Sequence, residues 1–324
     1  MLNKWIVGVV AVLLLGGSLW SLTRDGAERT AGKTVARTVT DSAGRQLVIP
    51  ERPQRVVALN ASHVDLYTSA GGHLTGRAAT ETLPPAVKTA VQDVPQVGVP
   101  NNPSLEKILA LKPDLILGAN IPFHQELLPV LTQAGIPVYL RNPDTPEDVL
   151  SILRLYGELA GTPGKANSLA TQIESRMQAA IEGSKGKTSP RTLLLWGTTE
   201  SFSMILSGTF TGDLMKRLGG DNVADQAEKS GPMAGSGYVP LSLEFVSKAN
   251  PEVILFITHS ADDKVEAKFR AELAAHPAWK GMKAVKENRV HKLPYHLFAI
   301  NPGTRMAEAT DVLAGLLYAD SVMQ

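Results

Sequence analysis

The sequence predicts an α/β protein made of two doubly wound α/β lobes bridged by one long helix and preceded by an N-terminal transmembrane or signal helix. Three observations point there. Short apolar runs alternate with amphipathic or capped helical stretches, the pattern of βαβ units with largely parallel sheets and helices on their faces. The segment SLEKILALKPDLILGAN at 104–120 returns as SLEFVSKANPEVILFIT at 242–258. Between the copies, residues 165–182 read KANSLATQIESRMQAAIE, with Leu169, Ile173, Met177 and Ile181 at four-residue spacing. At about 1.5 Å per residue such a helix extends roughly 27 Å, enough to join two lobes.

The elements follow in order. Residues 1–24 hold one lysine, then an apolar run from Trp5 to Leu22 closed by Arg24 and Asp25. At about 18 residues the run sits at the lower limit for crossing a bilayer and exceeds the usual cleaved core of about 7–15. Trp5 and Trp20 flank it as an aromatic belt would. It reads as an uncleaved signal-anchor or a cleaved signal peptide, and either way the rest is extracytoplasmic. Residues 25–37 are a polar linker. The first lobe, 38–163, opens with a hairpin of strands at 38–41 and 46–49 turning through Ser42-Ala43-Gly44-Arg45. Strands at 55–59, 114–118 and 138–140 alternate there with helices at 104–111, 124–134 and 145–160. The interlobe helix occupies 164–186. The second lobe, 187–324, has strands at 191–196, 252–257 and 289–293 and helices at 212–218, 264–275 and 303–318.

In both copies of the repeat a Ser caps a short helix, a Pro at the tenth place stops it, an acid follows (Asp114, Glu252) and Ile-Leu enters a buried strand. The repeat also sets a glutamate at the same helical position in each half, Glu106 and Glu244.

Composition removes several functions. With 32 Lys+Arg against 31 Asp+Glu the formal charge is +1, so no broad basic surface exists for nucleic acid. The absence of cysteine excludes disulfides, thiolate metal sites, a Cys nucleophile and lipid attachment through cysteine. No nucleophile elbow, H-E-x-x-H or Walker A motif occurs; Gly161-Thr162-Pro163-Gly164-Lys165 has neither the spacing nor the hydroxyl of the last. The protein reads as a binding protein and not an enzyme.

Ligands of open α/β sheets bind beyond the carboxyl ends of parallel strands. Applied to both lobes, this rule assigns to one cleft His63, Tyr67, Asn120, His124 and Arg141 from the first lobe. From the second it assigns Thr198, Tyr238, His259, Tyr295, His296 and Phe298. Imidazole can ligate iron, cobalt or zinc, which makes His63, His259 and His296 the candidate axial ligands of a metal. Arg141 suits a ligand carboxylate or phosphate.

Several of these segments together resemble the substrate-binding proteins of ABC importers for iron-siderophores, haem and vitamin B12, a class III periplasmic-binding-protein-like group. They are the hairpin Asp41-Ser42-Ala43-Gly44-Arg45, the strand entry Pro53-Gln54-Arg55-Val56-Val57-Ala58-Leu59, Ala70-Gly71-Gly72, Gly76-Arg77, Val97-Gly98, both SLE units, Leu293-Pro294 and Asn301-Pro302-Gly303-Thr304-Arg305. The resemblance covers roughly 38–320. It implies two lobes that close only slightly on an iron or cobalt chelate, no cofactor of the protein's own, and delivery of the cargo by a monomer to a permease dimer with its cytoplasmic ATPase. It further implies that Glu106 and Glu244 pair with permease arginines. With the lipid route closed, the N-terminal helix would be the membrane tether. A siderophore or haem is the expected cargo, a corrinoid the alternative. A bare-metal Zn or Mn receptor built on His63, His124, His259 and a carboxylate is the rival reading.

Overall fold

The computed structural model describes residues 36–227, 236–259 and 264–318. The expected N-terminal apolar helix lies outside the described residues, and so does the linker as far as residue 35. Among the described residues no helix is long and apolar enough to cross a membrane.

The first lobe runs through the hairpin β1 (Ala36–Thr40) and β2 (Gln46–Pro50), then β3 (Val56–Ala58), β4 (Leu74–Arg77), the two-residue hairpin β5 (Gly98–Val99) and β6 (Asn102–Pro103), β7 (Leu115–Gly118) and β8 (Val138–Leu140). Strand β1 already includes Ala36 and Arg37, which the sequence places in the linker. The cause is the turn: the buried Asp41 carboxylate accepts from the amides of Ala43 and Arg45 at 3.0 and 2.9 Å, and Gly44 adopts φ +74, which zips the hairpin back to Ala36↔Pro50. The core sheet has the order β4-β3-β7-β8 and is parallel throughout. The helix expected at 124–134 is two pieces, Pro122–Gln125 and Leu128–Gln133. Pro129 in the first turn of the second piece fits a fresh start there.

The helix Pro163–Ser184 carries the chain from the first sheet to the second, about 33 Å at 1.5 Å per residue. Its buried stripe is Ala166, Ala170, Ile173 and Met177, with Leu169 and Ile181 at the margins. The stripe packs between the helices Pro146–Ala160 and Met306–Tyr318, so one apolar cluster extends from Val64 and Leu66 to Leu313 and Leu317.

The second lobe contains β9 (Arg191–Gly197), β10 (Phe202–Ile205), β11 (Asp221–Asn222), β12 (Tyr238–Pro240), β13 (Val253–Thr258) and β14 (Val290–Lys292). Its order is β12-β10-β9-β13-β14, with β11 beside β9. This sheet is mixed where largely parallel sheets were expected. β9, β11, β13 and β14 run parallel, but β10 turns back on β9 and β12 on β10. Only three residues separate β9's Gly197 from Ser201, too few for a crossover, and this forces the antiparallel return. The helix expected at 264–275 begins as Lys264–Lys268 and continues as a π-helix, Phe269–Ala274.

The repeat is structural in detail. Ser104 and Ser242 cap their helices through the amides of Lys107 and Phe245 at 3.4 and 3.2 Å. Lys112 and Asn250, each just before the proline, both take φ 46. The following acids then clasp the start of the neighbouring strand: Asp114 accepts from the amide of Arg55 at 2.9 Å, and Glu252 from that of Arg191 at 3.1 Å. These acids are strand registrars, a purpose that the sequence alone did not disclose.

Candidate functional site

A cleft of about 1140 Å3 opens between the lobes. Its first-lobe wall comes from the loops after β3, β4, β7 and β8, represented by Asn60, Glu81, Ile121 and Asn142; its second-lobe wall comes from the segments around β10 to β12 and from the chain after β14, represented by Phe210, Asp225, Tyr238 and Ile300. Backbone geometry holds the first wall. Asn142 accepts from the Asn120 amide at 2.8 Å and donates its own amide to the Ser42 hydroxyl at 2.9 Å, while the Asn120 side-chain amide donates to the Ser42 carbonyl at 3.1 Å. The hairpin turn thus fixes the ends of β7 and β8.

The segment Asn301 to Arg305 stitches the two lobes at the cleft. The side-chain amide of Asn301 donates to the Pro143 carbonyl at 2.6 Å. Asp65, buried on the helix Ala61–Ser69, accepts from the Thr304 amide at 2.7 Å and from its hydroxyl at 2.9 Å. Gly303 sits so close that a Cβ there would lie 2.3 Å from the Asp65 carboxylate, and it adopts φ +57. Arg305 donates to the carbonyls of Thr82 and His296. Burial raises the Asp65 pKa, and the bonds from Thr304 and Ser69 and the charge of Arg305 oppose that rise.

Of the eleven ligand candidates, the structure brings Tyr238 and Tyr295 to the cleft wall. Phe298 is buried and lines a smaller adjoining cavity with Trp196 and Phe210. His63 does not reach the cleft. It is fully buried, its Nδ1 2.7 Å from the Tyr156 hydroxyl, and burial lowers its pKa to about 4. The physical reason is rotational: Asn60 caps the helix by accepting from the His63 amide at 3.0 Å, and the first turn sends Asn60, Ala61 and Ser62 to the cleft while His63 faces the core. Tyr67 is buried on the same helix, edge-on to Tyr156, and burial pushes its phenol up to about 12. His124 is also buried, with Nδ1 3.0 Å from the Ala119 amide and Nε2 3.0 Å from the Pro100 carbonyl; burial lowers its pKa. It braces the loop after β7.

Arg141 is engaged by Asp148 and does not present a free fork to a ligand. Asn120 is spent on Ser42, Asn142 and Gln125. Thr198 accepts from the amides of Glu200 and Ser201 in its own turn. His259 and His296 are exposed but are not among the lining residues; His296 lies 4.0 Å from Glu308. The triad His63, His124 and His259 is not assembled. Among the described residues no group of three or more His, Asp or Glu is placed to hold a metal ion.

Sequence reasoning missed Glu81, Asp144, Asp225, Phe210 and Asn301. Glu81 follows β4, Phe210 follows β10 and Asp225 follows β11, three strands the periodicity did not reveal; the strand-end rule would have found Glu81 and Asp225 had β4 and β11 been recognised, but not Phe210, because β10 is antiparallel to its neighbours. Glu106 and Glu244 are exposed and carry no ion pair among the described residues. Each stands in the first turn of a helix that leads back into β7 or β13, and neither is among the residues lining the cleft.

The fold and the cleft have counterparts. A high-affinity heme uptake system protein, IsdE, of Staphylococcus aureus (strain MRSA252) is 27% identical over 241 residues, 74% of this chain and 78% of that one. An ABC transporter substrate-binding protein from Listeria monocytogenes EGD-e superposes with a TM-score of 0.71 at 25% identity, covering 83% of this chain and 100% of the other. Staphylococcus aureus IsdE complexed with heme superposes at 0.69 and 25% identity, covering 82% and 98%. The model of a family described as periplasmic binding protein matches residues 56–297, from β3 to the short helix that carries Tyr295. Both lobes and nearly all of the cleft wall fall inside that match, and the chain belongs to the periplasmic binding protein family.

Proposed function

We propose that this protein is the extracytoplasmic substrate-binding component of an ABC importer, capturing an iron chelate between its lobes and releasing it chemically unchanged to a membrane permease. The observation that carries this reading is the cleft. At about 1140 Å3 it slightly exceeds the roughly 300–1,000 Å3 typical of small-molecule sites, and it lies between two lobes held by one stiff helix. Two sequence and structure relatives, one a heme uptake protein and one an ABC transporter substrate-binding protein, support the same class. The interlobe stitching of Asn301 to Arg305 limits closure to a small movement.

Glu106 and Glu244 are the docking contacts of this proposal, one on each lobe, for basic residues on the two permease subunits. The segment 1–24 holds the protein at the membrane, and the receptor works as a monomer. The test is thermal unfolding of the full-length protein in detergent with haem and with a panel of ferric siderophores. A bound chelate at a hundredfold excess over its Kd stabilises by about 2.7 kcal/mol. No shift with any iron chelate would refute the reading.

A further inference from the structure

The cleft has walls of one electrical sign. Glu81 and Asp144 line it from the first lobe and Asp225 from the second, all three exposed, and among the described residues no Lys, Arg or His lines it. Of the neighbouring arginines, Arg141 is paired with Asp148 and Arg217 with Glu147 and Asp213, while Arg305 is turned to the carbonyls of Thr82 and His296 with the charge of the buried Asp65 set against its own. Asp225 accepts one bond, from the Ser207 amide at 2.9 Å, while Glu81 and Asp144 have no ion pair among the described residues. Otherwise the walls are neutral, with the amides of Asn60, Asn142 and Asn301 and the phenols of Tyr238 and Tyr295.

Resting on the chelate-receptor reading above, we propose that the cargo is a ferric chelate of zero or positive net charge with amide or ammonium groups on its periphery, of the trihydroxamate class, and not haem or a catecholate complex. Carboxylates on both walls repel one another as the lobes approach, and a cationic or neutral guest between them relieves that repulsion. An anionic guest adds to it, because low-dielectric walls reduce the screening between like charges. Haem brings two carboxylates and a ferric tricatecholate three negative charges, with no basic side chain among the described lining residues to receive them. The side-chain NH2 groups of Asn60 and Asn142, whose oxygens are already engaged by the amides of His63 and Asn120, match acceptors on the chelate's periphery. The two phenols match the formally anionic oxygens around the metal as hydrogen-bond donors. This cargo differs from the one named for the heme uptake relative, and 27% identity leaves loop residues free to change.

The test is titration of the full-length protein in detergent, followed by intrinsic fluorescence, with four probes: ferrioxamine B, a cationic ferric trihydroxamate; ferrichrome, a neutral one; haem; and ferric enterobactin, a trianion. The two trihydroxamates should bind at least about tenfold more tightly than the two anionic probes, and ferrioxamine B should weaken as salt rises. The combined variant Glu81→Gln, Asp144→Asn and Asp225→Asn should weaken ferrioxamine B by about tenfold and strengthen haem. Glu81→Gln alone, on an exposed side chain, should move both affinities in the same directions by a smaller factor and guards against misfolding of the combined variant. Tighter binding of haem or ferric enterobactin than of either trihydroxamate overturns the charge inference and leaves the chelate-receptor reading standing. Absence of binding by all four overturns both.

Discussion

Acidification should weaken this protein through one histidine. His63 is fully buried, its Nδ1 set against the Tyr156 hydroxyl and its Nε2 without a hydrogen-bond partner. Burial first, and the neighbouring His124 second among the lowering causes, bring its pKa from 6.5 to about 4. The unfolded chain takes up this proton near 6.5 and the folded chain only near 4, so between those values the unfolded state binds more protons and stability falls as pH falls. The stabilisation is complete above pH about 6.5, lost on descending to about 4, and changes no further below. A difference of 2.5 units at about 1.36 kcal/mol each gives about 3 kcal/mol. Asp65 works in the opposite direction, since burial raises its pKa and the folded state then accepts that proton first. Comparing the wild type with His63→Gln, which keeps an acceptor for Tyr156, cancels the Asp65 contribution. Urea unfolding followed by tryptophan fluorescence at pH values from about 7.5 to about 4 should show the wild type losing about 3 kcal/mol more than the variant. Parallel pH profiles would refute the burial argument. The same variant should bind its chelate at neutral pH within about twofold of wild type, because His63 faces the core; loss of binding would mean that the ring does reach the cargo.

Thr304→Val should cost about 1–3 kcal/mol in urea unfolding, because it removes one of the two hydroxyls, those of Thr304 and Ser69 at 2.9 and 3.0 Å, that donate to the buried Asp65 carboxylate; an unchanged midpoint would deny the stitch its energetic role. Reversing charge at both docking positions, Glu106→Arg with Glu244→Arg, should abolish chelate uptake by cells while leaving affinity in solution intact, and normal uptake by the double variant would remove these glutamates from the permease contact.

What could be read from the sequence depended on how local the cause was. The Ser104 and Ser242 caps, the proline stops and the Ile-Leu strand entries act within a few residues, so the two copies of the unit were visible without structure. The alternating α/β pattern was visible for the same reason. β10 and β12 escaped because each is a strand of three or four residues whose identity comes from its antiparallel partner, not from its own periodicity. Topology gave the address of the cleft but not the direction of each side chain. Asn60 and His63 share one helical turn, yet the first faces the cleft and the second Tyr156. Arg141 was a plausible anion partner until the fold set Asp148 against it, an engagement that arises because Asp148 also closes the capping box with Thr145. The sign of the cleft was the least legible property of all. A chain with charge +1 gives no hint that Glu81, Asp144 and Asp225, scattered over about 145 residues, meet around one cavity while Arg141 and Arg217 are drawn off into pairs. Net charge averages over the surface, whereas a ligand is selected by the few charges that share its cavity. For this receptor, the charge of the cargo is therefore a more discriminating experimental variable than the identity of its metal.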